Sequence, residues 1–229
     1  VKVEALIFDV FGTVVDWRTG VARAVAEALP TLDAHAFADA WRGRYQPAMA
    51  PIRAGTRGYV ALDALHRENL DATLEEFGAT LGEADRADLA RAWERLPPWP
   101  DSAPGLARLA TKFIVAPNSN GSIALMTRLA KFGGLPWDCI LGADVTRAYK
   151  PDPRAYLGCV GALRLRPADV MMVAAHNDDL RAARAQGLRT GFLPRPAEHG
   201  PGQRTDLEAD GDWDVIAADI CDLATRLGA

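Results

Sequence analysis

VEALIFDVFGT, residues 3–13, stays mostly apolar as far as Phe8, turns acidic at Asp9 and breaks at Gly12 and Thr13. A short run without alternation is what a parallel strand buried on both faces needs, and the break delivers a carboxylate to a turn beyond the strand's carboxyl end. Comparable runs recur at residues 113–116, 170–174 and 190–193, each closed by polar or turn-forming residues. Helical patterns separate them at residues 122–132, at 153–163 with Pro153 in the first turn, and at 178–186 with Gly187 as the stop. Strand and helix therefore alternate, and the expected fold is α/β, a doubly wound, Rossmann-like parallel sheet. In such sheets ligands lie beyond the carboxyl ends of the strands, where Asp9, Ser119 and the polar run 176–179 are all delivered.

The pattern changes after Val15. Residues 16–99 carry helical periodicity, with Phe37, Trp41 and Tyr45 recurring every four positions, and contain no convincing strand. We read this stretch as a helical cap domain inserted after the first strand, and residues 1–15 and 100–229 as the core domain. The exit, Leu96-Pro-Pro-Trp-Pro100, is too proline-rich to remain helical and is stiff enough to serve as a strut. Residues 194–212, rich in Pro, Gly and charge, are expected to form a long surface loop before a last short strand and helix.

Composition narrows the ligand. At 229 residues, 49% hydrophobic, the chain is long enough for one good core and a smaller insertion. A formal charge of -4 supplies no basic field for polyanions, so neither nucleic acid nor an anionic membrane is an expected partner. Cys139, Cys159 and Cys221 are odd in number and scattered, which argues against a disulfide framework or zinc knuckle and suits a reducing cytoplasm. The chain enters its first strand with no basic leader or long apolar span, so no targeting segment is expected.

Asp9 is placed to attack an electrophile, although an aspartate before Gly-Thr is also common turn chemistry. Lys150, in Tyr-Lys-Pro-Asp152, would keep a neighbouring carboxylate ionised; elsewhere such a lysine is a solvated surface group. Ser119-Asn120-Gly121 opens a helix whose free N–H groups favour an anion, and Ser119 or Asn120 serves equally as a plain cap. Trp41 and Tyr45, with Tyr59, either wall an apolar pocket or pack the cap. His176 is either a base or a hydrogen-bonded structural group.

In order along the chain, Asp9-Val-Phe-Gly-Thr13, Ser119-Asn-Gly121, Lys150-Pro-Asp152 and His176-Asn-Asp-Asp179 resemble the motifs of the haloacid dehalogenase superfamily. Each is short, but their order on successive strand ends, with a helical insertion after the first, spans nearly the whole chain. The resemblance implies Asp9 as a covalent nucleophile, Thr13 and Lys150 beside it, and Asp179, with His176 and Asn177 nearby, at the hydrolytic water. It also implies Val10, Phe11, Ser119 and Asn120 along the substrate. The Trp41-Arg42 pair resembles the family's Trp-Arg, whose arginine receives the halide, with Arg44 as rival. Phe11 occupies the position where the superfamily's phosphatases carry a second aspartate. A phenylalanine cannot protonate a leaving alkoxide, a contribution of about 10²–10⁴-fold, whereas halide leaves without a proton.

The expected activity is hydrolytic dehalogenation of small 2-haloalkanoic acids to 2-hydroxy acids, with halide as co-product, no cofactor and no required metal. Phe11 removes a usual ligand position, while the pair Asp178 and Asp179 is the feature that favours a metal. The first alternative is a magnesium-dependent phosphatase or phosphonatase-like hydrolase; the second is a non-catalytic small-acid-binding protein. Position 11 departs from the familiar tyrosine, Ala174 from a serine, and His176 and Asp178 from an asparagine and a tryptophan, which leaves pocket shape and water positioning open. A homodimer is the default assembly.

Overall fold

The computed structural model describes residues 2–229. Its centre is a parallel six-stranded sheet in the order β3-β2-β1-β4-β5-β6, formed by β1 (Ala5–Phe8), β2 (Ile114–Ser119), β3 (Leu141–Gly142), β4 (Val170–Ala174), β5 (Arg189–Phe192) and β6 (Val215–Ile216). Strand β1 lies between β2 and β4, with Ala5 opposite both Ile114 and Val170, and is buried throughout. The strand order reverses at β1, so the residue after Phe8 emerges at the switch point of the sheet, where open α/β folds hold their ligands.

The expected doubly wound sheet with a helical cap is the observed fold, with strand ends shifted by one to three residues. The largest shift is at β2, which continues through Pro117 to Ser119. Pro117 is the last β2 residue paired with β1, and β3 pairs only with Asn118 and Ser119, so the missing N–H falls where the strand passes from one neighbour to the next.

Between β1 and β2 run α1 (Trp17–Ala28), α2 (Ala34–Gly43), α3 (Tyr45–Arg53), α4 (Leu62–Glu76) and α5 (Glu83–Ala90), followed by a 3₁₀ turn at Arg91–Glu94. Asp16 caps α1 by accepting from the Thr19 N–H, and Asp33 caps α2 through Ala36. Their apolar faces meet around Trp17, Phe37, Trp41 and Trp93, all nearly inaccessible to solvent. The chain leaves and returns through two adjacent segments: Asp16 N donates to Pro97 O, and Trp99 N donates to Val14 O.

The return leg continues into α6 (Ser102–Leu109), and α7 (Ile123–Gly133), the short α8 (Ala143–Thr146), α9 (Pro153–Ala162), α10 (Asn177–Ala185) and α11 (Ile220–Arg226) complete the chain. Strand β6 and helix α11 are the expected last short strand and helix. The segment before them is more than a surface loop, because Arg195 and Glu198 are buried. Arg195 forms a two-pronged ion pair with Asp101 and donates to the Thr13 carbonyl, which draws the loop onto the β1 turn. No described helix is long and apolar enough to cross a membrane.

Candidate active site

Asp9 leaves β1 with its backbone N–H still bonded to Val173 O of β4, which fixes the carboxylate at the tip of the sheet. Gly12 turns the chain with φ +90, a conformation that L side chains rarely adopt. A Cβ there would also lie 2.1 Å from a Glu198 carboxylate oxygen, so the glycine makes room for that side chain. Thr13 then folds back. Its Oγ1 donates to Asp9 Oδ2 at 2.8 Å and accepts from Ala175 N at 2.9 Å, tying the turn to the end of β4.

Lys150 approaches from the segment between α8 and α9. Its Nζ is 2.8 Å from Asp9 Oδ1 and 2.5 Å from Asp179 Oδ2, while its N–H donates to Asn120 Oδ1. Asp179, in the first turn of α10, also accepts from the Tyr156 hydroxyl of α9. Lys150 is thus clamped between two carboxylates in a site where both ion pairs are about nine-tenths buried. Burial opposes the charge on Asp9, but Lys150 and then His176 outweigh it and hold the carboxyl well below the usual range. Burial likewise opposes the charge on Lys150, and Asp179 and Asp9 together raise its pKa above that of a free lysine. Asp9 is therefore ionised across the neutral range, as a nucleophilic carboxylate must be.

His176, at the end of β4, stands on the other side of Asp9. Its Nδ1 is 3.2 Å from Asp9 Oδ2 and its Nε2 is 2.9 Å from Glu198 Oε2. Glu198 also accepts from Trp17 Nε1, so a loop near the chain's end, a cap helix and the sheet tip meet at one carboxylate. Burial disfavours the histidine's charge, yet Glu198 and Asp9 raise its pKa well above the ordinary value. Glu198 is in turn held below the usual carboxylate range against its own burial, chiefly by His176.

These groups line one face of a cavity of about 710 Å³, whose opposite face is the cap. There Arg42 of α2 lies 3.9 Å above the Tyr45 ring and within 6 Å of the Trp17 and Phe11 rings. Its Nη1 is buried with no hydrogen-bond partner among the described residues. Arg44, the rival cation, is committed to Thr73, the Ala72 carbonyl and Glu76 on α4. Behind Arg42, His66 stacks on Trp93 at 4.3 Å with both ring nitrogens unpartnered among the described residues. Burial and then the Arg42 charge hold its pKa well below the usual value, so it is neutral.

Asp9, Phe11, Arg42, Tyr45, Asn120, Lys150, His176 and Asp179 all line the cavity, and Thr13 supports Asp9 from beneath. Other candidates turn elsewhere. Trp41 is buried in the cap, donating to the His66 carbonyl, because its stripe packs α2 against α4. Tyr59 is tied to Asp144. Val10 is fully buried. Asn177 holds Asp206, Glu208, Asp210 and Trp213, pinning the late loop instead of facing the cavity. Ser119 accepts from Gly121 N; the helix starts at Ile123 with Ser122 as its cap, and the Ile123 N–H is taken by Asp144. The Gly121 and Ile123 N–H groups are therefore engaged within the protein, which leaves the side chains of Ser119 and Asn120 as the donors this end can offer an anion. Sequence reasoning missed Tyr156 and Glu198, which carried no pattern signal beyond a tyrosine on a helix and an acid in a loop.

The acidic pair that favoured a metal separates. Asp178 is exposed and paired with Arg181, whereas Asp179 is held by Lys150. The remaining carboxylates beside Asp9 are occupied by an ammonium and an imidazole, and position 11 is Phe. This donor set does not fit a magnesium site, which needs free carboxylate oxygens around the nucleophile.

Comparison with known proteins follows the same line. A family model described as haloacid dehalogenase-like hydrolase matches residues 3–187. An (S)-2-haloacid dehalogenase of Xanthobacter autotrophicus is 31% identical over 195 residues, covering 84% of this chain and 76% of that protein. A solved defluorinating L-2-haloacid dehalogenase superposes with a TM-score of 0.97 at 52% identity, covering 99% and 96% of the two chains. The Xanthobacter autotrophicus L-2-haloacid dehalogenase with chloropropionic acid covalently bound gives a TM-score of 0.84 at 25% identity, over 99% of each chain.

Proposed function

The chain belongs to the haloacid dehalogenase-like hydrolases, and from that membership we propose that it hydrolyses small (S)-2-haloalkanoic acids to 2-hydroxy acids through an ester on Asp9. The observation that carries this reading is a buried carboxylate kept ionised by Lys150, with an aromatic residue, Phe11, where a phosphatase needs a proton donor.

In this scheme the substrate carboxylate binds near Asn120 and the halogen points toward Arg42. An Asp9 oxygen attacks the halogen-bearing carbon in line, the carbon–halogen bond breaks, and the halide leaves with the bonding pair. The guanidinium, lacking an anionic partner among the described residues, receives that charge, while Phe11, Tyr45 and Trp17 keep water away and strengthen the attraction. Water then attacks the carbonyl carbon of the Asp9 ester. Lys150 offsets the charge that develops on the carbonyl oxygen, and Asp179 with Tyr156 holds Lys150 in place. The 2-hydroxy acid departs with inverted configuration.

We take residues 16–99 as the cap and residues 1–15 with 100–229 as the core, since the chain crosses between them at the paired segments around Val14 and Pro97. The wider reading is of a cytoplasmic enzyme, with a homodimer as the default assembly.

The experiment is a single turnover of 2-chloropropionate in heavy-oxygen water with excess enzyme and EDTA. Halide release should persist, and the oxygen entering the first product should come unlabelled from Asp9. Label in that first product overturns the ester route; magnesium-dependent phosphate release without halide release overturns the dehalogenase in favour of a phosphatase. Fluoro-, chloro- and bromoacids belong in the same panel because a defluorinating enzyme is among the similar structures.

A further inference from the structure

The proposed reaction requires a group that takes a proton from water in its second half, and neither Lys150 nor Asp179 is free to do so. Lys150 is an ammonium between two carboxylates, and Asp179 is engaged on both oxygens, by Lys150 and by Tyr156. His176 faces the same Asp9 oxygen as Thr13 and is 23% exposed, within reach of solvent from the cavity. Its two ring nitrogens each meet a carboxylate, Asp9 on one side and Glu198 on the other, and ionised carboxylates only accept hydrogen bonds. Both nitrogens therefore carry protons in the resting site, an assignment that follows from the network.

We propose, building on the dehalogenase reading, that His176 is the proton carrier of ester hydrolysis and that Glu198 is its positioning residue. While Asp9 is a free carboxylate, His176 is an imidazolium and cannot act as a base. Alkylation turns Asp9 into a neutral ester, and one of the two anions that stabilise the imidazolium disappears. Burial, now opposed by Glu198 alone, then favours the neutral ring, which loses a proton to solvent. Glu198 keeps the remaining proton on Nε2, so the lone pair lies on Nδ1, which faces Asp9. Water attacks the ester carbon and gives its proton to Nδ1. The tetrahedral intermediate collapses, the ester C–O bond to the product breaks, and the departing alkoxide takes that proton. The regenerated Asp9 carboxyl passes its own proton back to His176. One proton is released per halide, which closes the balance for water replacing halogen.

The groups that set this titration come from every element around the ring. They are Asp9 at the end of β1, Glu198 and His199 in the late loop, Lys150 before α9, and Asp178 and Asp179 in α10 itself; Arg42 faces it across the cavity from the cap. Gly12 belongs to the same device, because any side chain at that position would displace Glu198.

The test separates the two half-reactions. In H176Q the first half should survive: a burst of one halide per active site, followed by turnover slowed by at least about 10²-fold and a substrate fragment accumulating on the Asp9 peptide by mass analysis. Burst and turnover falling by the same factor, or no ester accumulating, overturns the role. E198Q keeps an acceptor for Trp17 but removes the charge, so the pH midpoint of ester hydrolysis should move down relative to the unmodified enzyme; coincident profiles overturn the part given to Glu198. Absence of any halide release from the unmodified enzyme defeats the dehalogenase reading itself, whereas normal turnover with the wrong H176Q phenotype defeats only this inference.

Discussion

The two walls of the cavity treat charge in opposite ways. On the sheet side Asp9, Lys150, Asp179, His176 and Glu198 form an alternating chain in which each charge contacts one of opposite sign. On the cap side Arg42 has aromatic rings around it and a buried nitrogen with nothing to bind among the described residues. A compensated network holds geometry and protonation states, which is what a nucleophile needs. An uncompensated cation stores attraction for an anion that arrives only during the reaction, which is what a leaving group needs.

The sharpest way to break this contrast is to remove one charge from each wall. K150M leaves Asp9 and Asp179 buried as neighbouring carboxylates without their shared cation. Stability should fall by about 3–5 kcal/mol, as when one partner of a buried pair is deleted. Because Asp9 also loses the main influence keeping it ionised, halide release should fall by at least about 10³-fold. Urea unfolding and ion-selective halide assays read the two effects, and a variant with unchanged unfolding midpoint contradicts the compensated network.

R42M should behave differently. The guanidinium has no ion pair to lose among the described residues, and its attraction to the Tyr45 ring is worth about 0.5–2 kcal/mol, offset by the end of its own desolvation. Stability should stay within about 1 kcal/mol of the parent while halide release falls about 10²–10³-fold, the effect of removing one preorganised donor. Destabilisation as large as that of K150M would show that Arg42 is structural.

The same contrast explains what could be read from the chain alone. The sheet wall was largely legible because parallel strands impose a pattern: a buried run such as residues 170–174 names its strand and its carboxyl end, and the first run places Asp9, whereas Lys150 and Asp179 were legible through the order of the short motifs that hold them. The two-residue β3 was too short to register. Glu198 was invisible because an acid in a Pro- and Gly-rich loop has no periodicity, and its partner Trp17 lies 181 positions away. Asn177 sat inside a motif-like run, yet its position as the first residue of α10 turns it toward the late loop rather than the cavity. On the cap, spacing found the aromatic stripe but could not separate Trp41, turned into the helix packing, from Tyr45, turned under Arg42; the chain breaks at Arg44, so Trp41 ends its stripe on α2 and Tyr45 opens α3.

A finer test comes from pH, since the members of the sheet-side chain titrate in opposite senses. Asp9 and Glu198 have folded pKa values below their unfolded values of about 4, so the stability they contribute is present above that range and lost as the pH falls through the folded values. His176 is raised above the ~6.5 of a free imidazole, so its contribution is complete below that pH and lost as the pH rises through the folded value. Thermal stability should therefore peak between about pH 4 and pH 6.5 and decline on both sides, by about 2–4 °C for each kcal/mol lost in a chain of this size. H176Q should flatten the alkaline decline and shrink the acid limb to the part that Lys150 supports through Asp9. An alkaline limb that persists unchanged in H176Q would mean that the imidazolium does not link Asp9 to Glu198 in the folded protein, and the sheet wall would then be two separate pairs instead of one chain.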